Sequence, residues 1–155
     1  MAMRITSSAF GDGETIPTKY TADGAGVSPP LEFAGVPPDT VGLALICNDP
    51  DAPRAGGFTH WVVYGMWPDT GGLPEGVPTA PTVAQPTLVQ GLNSRGEYGY
   101  VPPSPPPGKP HRYQFRLYAL AAPLDLGHSA TQAELEAAMG DMILAQALLE
   151  GRYGR

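Results

Sequence analysis

The side chains of this 155-residue chain best suited to proton or anion chemistry are a few histidines and aspartates. The segment Asn48-Asp-Pro-Asp-Ala-Pro53 sets two carboxylates two residues apart, between prolines that limit their freedom. Asp49 closes an apolar run, where a carboxylate can accept an imidazole N–H and so fix its tautomer or favour imidazolium. Asp51 reads mainly as a turn former. Of the three histidines, His128 lies in a loop and is expected to be solvated, whereas His60 and His111 each follow a turn-rich segment and open an apolar run. A strand histidine is more often a satisfied core or rim residue than a ligand-binding one. If the two converge, however, they join the Tyr113 hydroxyl in a group with several donors and little negative charge. Such a group suits a compact oxyanion, a phosphoryl or carboxylate group, with Asp49 tuning the imidazoles. With ordinary imidazoles, binding should tighten as pH falls through about 6.5.

The rival chemistries have weaker support. Two His and two Asp could coordinate zinc, but no HxH, HExxH or CxxC spacing occurs, and His60 and His111 are 51 positions apart. There is no G-x-S-x-G elbow, and Ser104 is wedged between prolines. No G-x-G-x-x-G or P-loop sequence occurs, so no cofactor is expected. Cys47 sits inside an apolar run with no basic neighbour and reads as a buried structural thiol. These residues point to a non-catalytic binding protein. The alternative is a small-molecule enzyme, an isomerase, cyclase or hydrolase, using the His/Asp pair as acid and base.

The elements that must position these groups are short. Residues 41–47 (VGLALIC) carry apolar side chains on both faces, as in a strand covered on both sides. Residues 58–64 (FTHWVVY) form a second strand, with period two placing Phe58, His60, Val62 and Tyr64 on one face. Residues 111–120 (HRYQFRLYAL) form the longest, with His111, Tyr113, Phe115 and Leu117 together and Arg112, Gln114 and Arg116 opposite. Thr131-Gln-Ala-Glu134 is a capping box, and Leu135, Met139, Met142, Ile143 and Leu149 predict one helix running to Gly151. The intervening segments are rich in Gly (20) and Pro (19), with five prolines in the six positions 102–107. Proline breaks long helices and central strands, which excludes a helical bundle or a parallel α/β sheet. The expected fold is one mostly β domain over 1–155, an antiparallel β-sandwich with proline-rich loops and a C-terminal α-helix.

Acidic residues outnumber basic ones 15 to 9, for a net charge of −6. Without a run of Lys or Arg, neither a nucleic-acid groove nor a polybasic membrane patch has an electrostatic basis. A single cysteine forbids an internal disulfide and fits a reducing compartment. The N-terminal residues contain no apolar signal core and no stretch approaches membrane-spanning length, so a cytoplasmic protein without stable membrane anchoring is expected.

Taken together, certain segments resemble the phosphatidylethanolamine-binding protein family, in particular its bacterial Raf kinase inhibitor-like branch. They are Asp12-Gly-Glu-Thr-Ile-Pro17, Tyr20-Thr-Ala-Asp-Gly24, Ser28-Pro-Pro-Leu31, Asp49-Pro-Asp-Ala-Pro53, Phe58-Thr-His-Trp-Val-Val63, Asn93 to Gly108, His111-Arg-Tyr113 and Gly151-Arg-Tyr153. The resemblance implies an antiparallel β-sandwich with a small anion pocket at one end. It assigns Asp49, His60, His111 and Tyr113 to that pocket, Pro53, Tyr100 and Pro106 to its walls, and the Ser104 backbone amide as a donor. It also implies phosphate-like or carboxylate ligands, including phospholipid head groups, and kinase or protease partners; a homodimer is in keeping with it. Pro102 stands where relatives usually have glycine, which removes an amide donor from the rim.

Overall fold

The computed structural model describes residues 2–155, which form two antiparallel sheets. In chain order the elements are β1 (Arg4–Thr6), β2 (Leu31–Ala34), β3 (Gly42–Asp49), β4 (Phe58–Met66), β5 (Gly72–Leu73), β6 (Thr82–Ala84), β7 (Thr87–Gln90), β8 (His111–Leu120), α1 (Gln132–Met139) and β9 (Ile143–Tyr153). The small sheet has the order β1-β2-β5 and the large one β6-β7-β4-β3-β8-β9. Among the described residues no helix is long and apolar enough to cross a membrane.

Alternation along the central strands sorts their side chains into two cores. Leu43, Leu45 and Cys47 of β3, Trp61 and Val63 of β4, and Tyr113, Phe115 and Leu117 of β8 face the small sheet, where Ile5, Leu31, Phe33 and Leu73 meet them. Ala44, Ile46, Val62, Tyr64, Tyr118 and Leu120 face the other way, under Ala130, Leu135 and Met139. β3 is thus buried on both faces, which its unbroken apolar run requires.

The sandwich and β8 follow the sequence reading; the end of the chain does not. The capping box forms, with Thr131 Oγ1 accepting from the Glu134 amide and the Glu134 carboxylate accepting from the Thr131 amide. The helix nevertheless stops at Met139, because Gly140 takes φ +41 and a short 3-10 turn over Gly140–Met142 redirects the backbone. Residues 143–153 then pair antiparallel with the whole length of β8, from Leu120↔Ile143 to His111↔Tyr153. The Ala/Leu/Gln/Glu composition favours helix locally, but a ten-residue partner strand and the burial of Leu149 outweigh that preference.

Candidate functional site

The two sheet neighbours of β3 run antiparallel to it, so its C-terminal end lies beside the first residues of both β4 and β8. Topology therefore gathers Asp49, His60, His111 and Tyr113 at one end of the large sheet despite their separation in sequence. All four line one cavity of about 250 Å3 with Ala52, Pro53, Phe58, Arg95, Val101, Pro102, Ser104, Pro105 and Pro106.

Each polar group is held by a different device. His111 Nδ1–H donates to Asp49 Oδ2 at 2.6 Å, and the two side chains are 11% and 4% exposed. Asp49 Oδ1 accepts from the Asp51 amide at 2.9 Å, closing an Asx turn through Pro50. Both carboxylate oxygens are thus occupied, which is what a buried charge requires. The chain must then turn back from β3 to β4, and it does so through Gly57, at φ +75. A Cβ there would collide with the Asp49 carbonyl, so this turn tolerates only glycine without moving the carboxylate.

His60 is held by backbone. Its Nδ1 lies 2.6 Å from the Val101 carbonyl, while the Val101 amide donates to the His60 carbonyl at 2.8 Å. The ring packs against Phe58 (4.7 Å between centroids) and edge-on to Tyr113 (5.1 Å, 81°). Simple alternation would place His60 with Val62 and Tyr64 under the helix, and the structure corrects this. Between Cys47↔Trp61 and Asn48↔Thr59 the β3–β4 register slips, leaving His60 as an extra residue on β4. Such a bulge re-aims a side chain, and here it turns the imidazole towards Tyr113 and the cavity.

Burial is also what sets the charge of this ring. Desolvation pulls the His60 pKa down to about 4, against weaker support for the cation from the Val101 carbonyl and Asp49. Ordinary imidazole behaviour near pH 6.5 therefore does not apply to His60. Burial, and then the Asp49 charge, raise the Tyr113 hydroxyl above the usual phenol range, so it enters the cavity as a neutral O–H. Burial also raises the Cys47 thiol well above its ordinary value; this side chain is in the core and not on the cavity wall.

The proline-rich segment forms the opposite wall. Proline has no amide hydrogen, and the run is held through its carbonyls instead: Val101 O accepts from His60, Pro103 O from the Ala22 amide, and Pro105 O from Arg155. Ser104 is exposed at the rim, and among the described residues its amide has no acceptor. Pro53 and Pro106 line the cavity as expected, and Pro102 lies on the wall.

Tyr100 is the site residue that the structure places elsewhere. Its ring is buried edge-on against Trp61 at 5.5 Å, and its hydroxyl donates to the Tyr20 carbonyl at 2.8 Å, so it belongs to the core. Arg95 is the residue that sequence reasoning missed. An Asx turn, in which Asn93 Oδ1 accepts from the Arg95 and Glu97 amides, carries this exposed guanidinium to the cavity mouth. Among the described residues it forms no ion pair. The available signal was a lone arginine in Asn-Ser-Arg-Gly, a turn sequence next to the proline run. His128 is exposed, as expected, and lies at an apolar cleft on the far face of the sheet. Among the described residues no three His, Cys, Asp or Glu side chains are grouped as around a metal ion.

Comparison with known proteins gives a consistent answer. Residues 6–154 match the family model described as phosphatidylethanolamine-binding protein. A UPF0098 protein of Methanothermobacter thermautotrophicus is 46% identical over 153 residues, covering 99% of both chains. Another, from Chlamydia trachomatis, is 44% identical over 155 residues, covering 97% of this chain and 98% of its own length. Among solved structures, a putative phosphatidylethanolamine-binding protein homologue of Chlamydia trachomatis, CT736, superposes with a TM-score of 0.90 at 42% identity, covering 99% of this chain and 98% of its own. Escherichia coli YbcL, described as a new member of the mammalian family, gives a TM-score of 0.88 at 28% identity, covering 100% and 99%.

Proposed function

The chain belongs to the phosphatidylethanolamine-binding protein family, and from that premise we propose that its cavity binds a small oxyanion, a phosphoryl or carboxylate group, without transforming it. One observation carries this reading: the buried Asp49–His111 pair opens into the same cavity as His60, the Tyr113 hydroxyl and the Arg95 guanidinium, which forms no ion pair among the described residues. Each Asp49 oxygen accepts a hydrogen bond from a protein partner, and the carboxylate, which can only accept, orients His111 and offers an anion no donor. The groups left to meet an anion are the Tyr113 O–H, the Ser104 amide and Arg95, together with His111 Nε2 whenever it carries a proton.

Binding without turnover is favoured because no nucleophile is activated here. Ser104 has no imidazole hydrogen-bonded to its hydroxyl, and the Cys47 thiol is sealed in the core. The stiff proline wall also favours capture, since little entropy is lost when a ligand settles against it. Titrating inorganic phosphate into the protein by calorimetry tests the reading. We expect saturable one-site binding that weakens about tenfold or more in His111→Ala, the loss of one charge-assisted hydrogen bond. Equal affinity in the variant would refute it.

A further inference from the structure

The two imidazoles of the cavity are not equivalent. A carbonyl oxygen accepts hydrogen bonds and never donates, so the 2.6 Å contact with Val101 O requires the hydrogen of His60 to sit on Nδ1. The neutral ring then presents a bare lone pair at Nε2, for which the described residues supply no donor. A second proton at Nε2 would create a cation between the Phe58 and Tyr113 rings. The other groups facing this ring are Arg95 and His111, which oppose that cation, and Asp49, which favours it but is engaged by His111. Desolvation prevails, and the ring stays neutral down to about pH 4.

We propose that His60 Nε2 accepts a hydrogen bond from the ligand, so that the cavity selects an oxyanion still bearing an acidic hydrogen over fully ionised oxyanions of similar size. This rests on the reading of the cavity as an oxyanion site. The favoured ligands are inorganic phosphate and phosphomonoester monoanions, whose P–O–H donates to Nε2 while the other oxygens accept from Tyr113, Ser104 and Arg95. Sulfate, carboxylates and phosphodiesters have no such hydrogen. Once bound, they would displace water from the cavity and set an oxygen lone pair against the Nε2 lone pair, leaving that acceptor without a donor. A site built to hydrogen-bond a group rejects the analogue lacking it, because the buried partner is left unpaired.

The test is a calorimetric titration at pH 6 with inorganic phosphate, phenyl phosphate, sulfate and dimethyl phosphate. We expect phosphate and the monoester to bind about tenfold or more tighter than the other two, the loss expected when one buried acceptor goes unsatisfied. Sulfate binding as tightly as phosphate overturns this inference and leaves the oxyanion reading standing; failure of all four to bind overturns both. In His60→Gln, whose amide can turn to donate, the preference should shrink to within about threefold. The 15N shifts of the His60 ring in the unsubstituted protein give an independent readout. At pH 7 they should show a protonated Nδ1 and a bare Nε2, and a doubly protonated ring overturns the proposal.

Discussion

Asp49 and Asp51 are two residues apart, and their partners His111 and Arg112 are adjacent, yet the two pairs lie on opposite faces of the strand ends. Outside, Asp51 receives three hydrogen bonds from Arg112, from Nε at 3.0 Å, Nη2 at 2.9 Å and the backbone amide at 2.8 Å. Inside, Asp49 receives one from His111. Counting bonds makes the outer pair the stronger. Burial reverses the order of consequence, because the outer side chains are 31% and 46% exposed and the inner ones 4% and 11%. Water replaces a lost partner outside. Inside nothing does, so the survivor is left as an uncompensated polar group.

Removing Asp49 is the strongest way to break this comparison. Asp49→Ala should lower the unfolding free energy at pH 7 by about 3–5 kcal/mol, the usual result of taking one partner from a buried pair, and should abolish phosphate binding. Urea denaturation measures the first and calorimetry the second. A loss below about 1 kcal/mol, the range of exposed ion pairs, would show that the inner pair is wet.

His60 sharpens the inner half of the comparison, since its folded pKa of about 4 lies below the ordinary value. Above about pH 6.5 neither native nor unfolded ring is protonated, and His60 makes stability no function of pH. As pH falls from there towards 4, the unfolded chain takes up a proton that the native ring refuses, and stability is lost, about 3 kcal/mol in all. His60→Gln has no such proton. The stability of the native sequence should therefore fall between pH 7 and 4 by about 3 kcal/mol more than that of the variant. Parallel stability curves would count against a desolvated ring.

These contrasts were unevenly legible in the sequence. β8 could be read to its end residues because its first seven positions alternate between a core face and an Arg/Gln face and the rest continue as an unbroken apolar run. The Thr131–Glu134 cap was equally readable, being a contact three residues long. The meeting of Asp49 with His111 is 62 residues long, and no local spacing specifies it; a family resemblance and then the strand order supply it. The aim of His60 was hidden for a different reason. One bulge residue inverts the face of everything beyond it, and the sequence FTHWVV carries no mark of where the slip occurs. β9 was misread because Ala, Leu and Gln suit a helix, and only the neighbouring strand decides otherwise.

The outer pair supplies the smallest effect. Its geometry is bidentate, and Arg112 holds the Asp51 carboxyl down to about pKa 2, so whatever it contributes is present above the ordinary carboxylate range and is lost only as pH falls through about 2. Solvent screening discounts that contribution to about 1 kcal/mol or less at neutral pH. A double-mutant cycle of Asp51→Ala and Arg112→Ala should give a coupling energy in that range, weaker still in about 1 M salt, where the Debye length is roughly 3 Å. Phosphate affinity should change less than about threefold, because Asp51 and Arg112 face away from the cavity. A loss of affinity matching that of Asp49→Ala would mean that the two faces act as one unit, with the Asp51 amide on Asp49 Oδ1 as the connection.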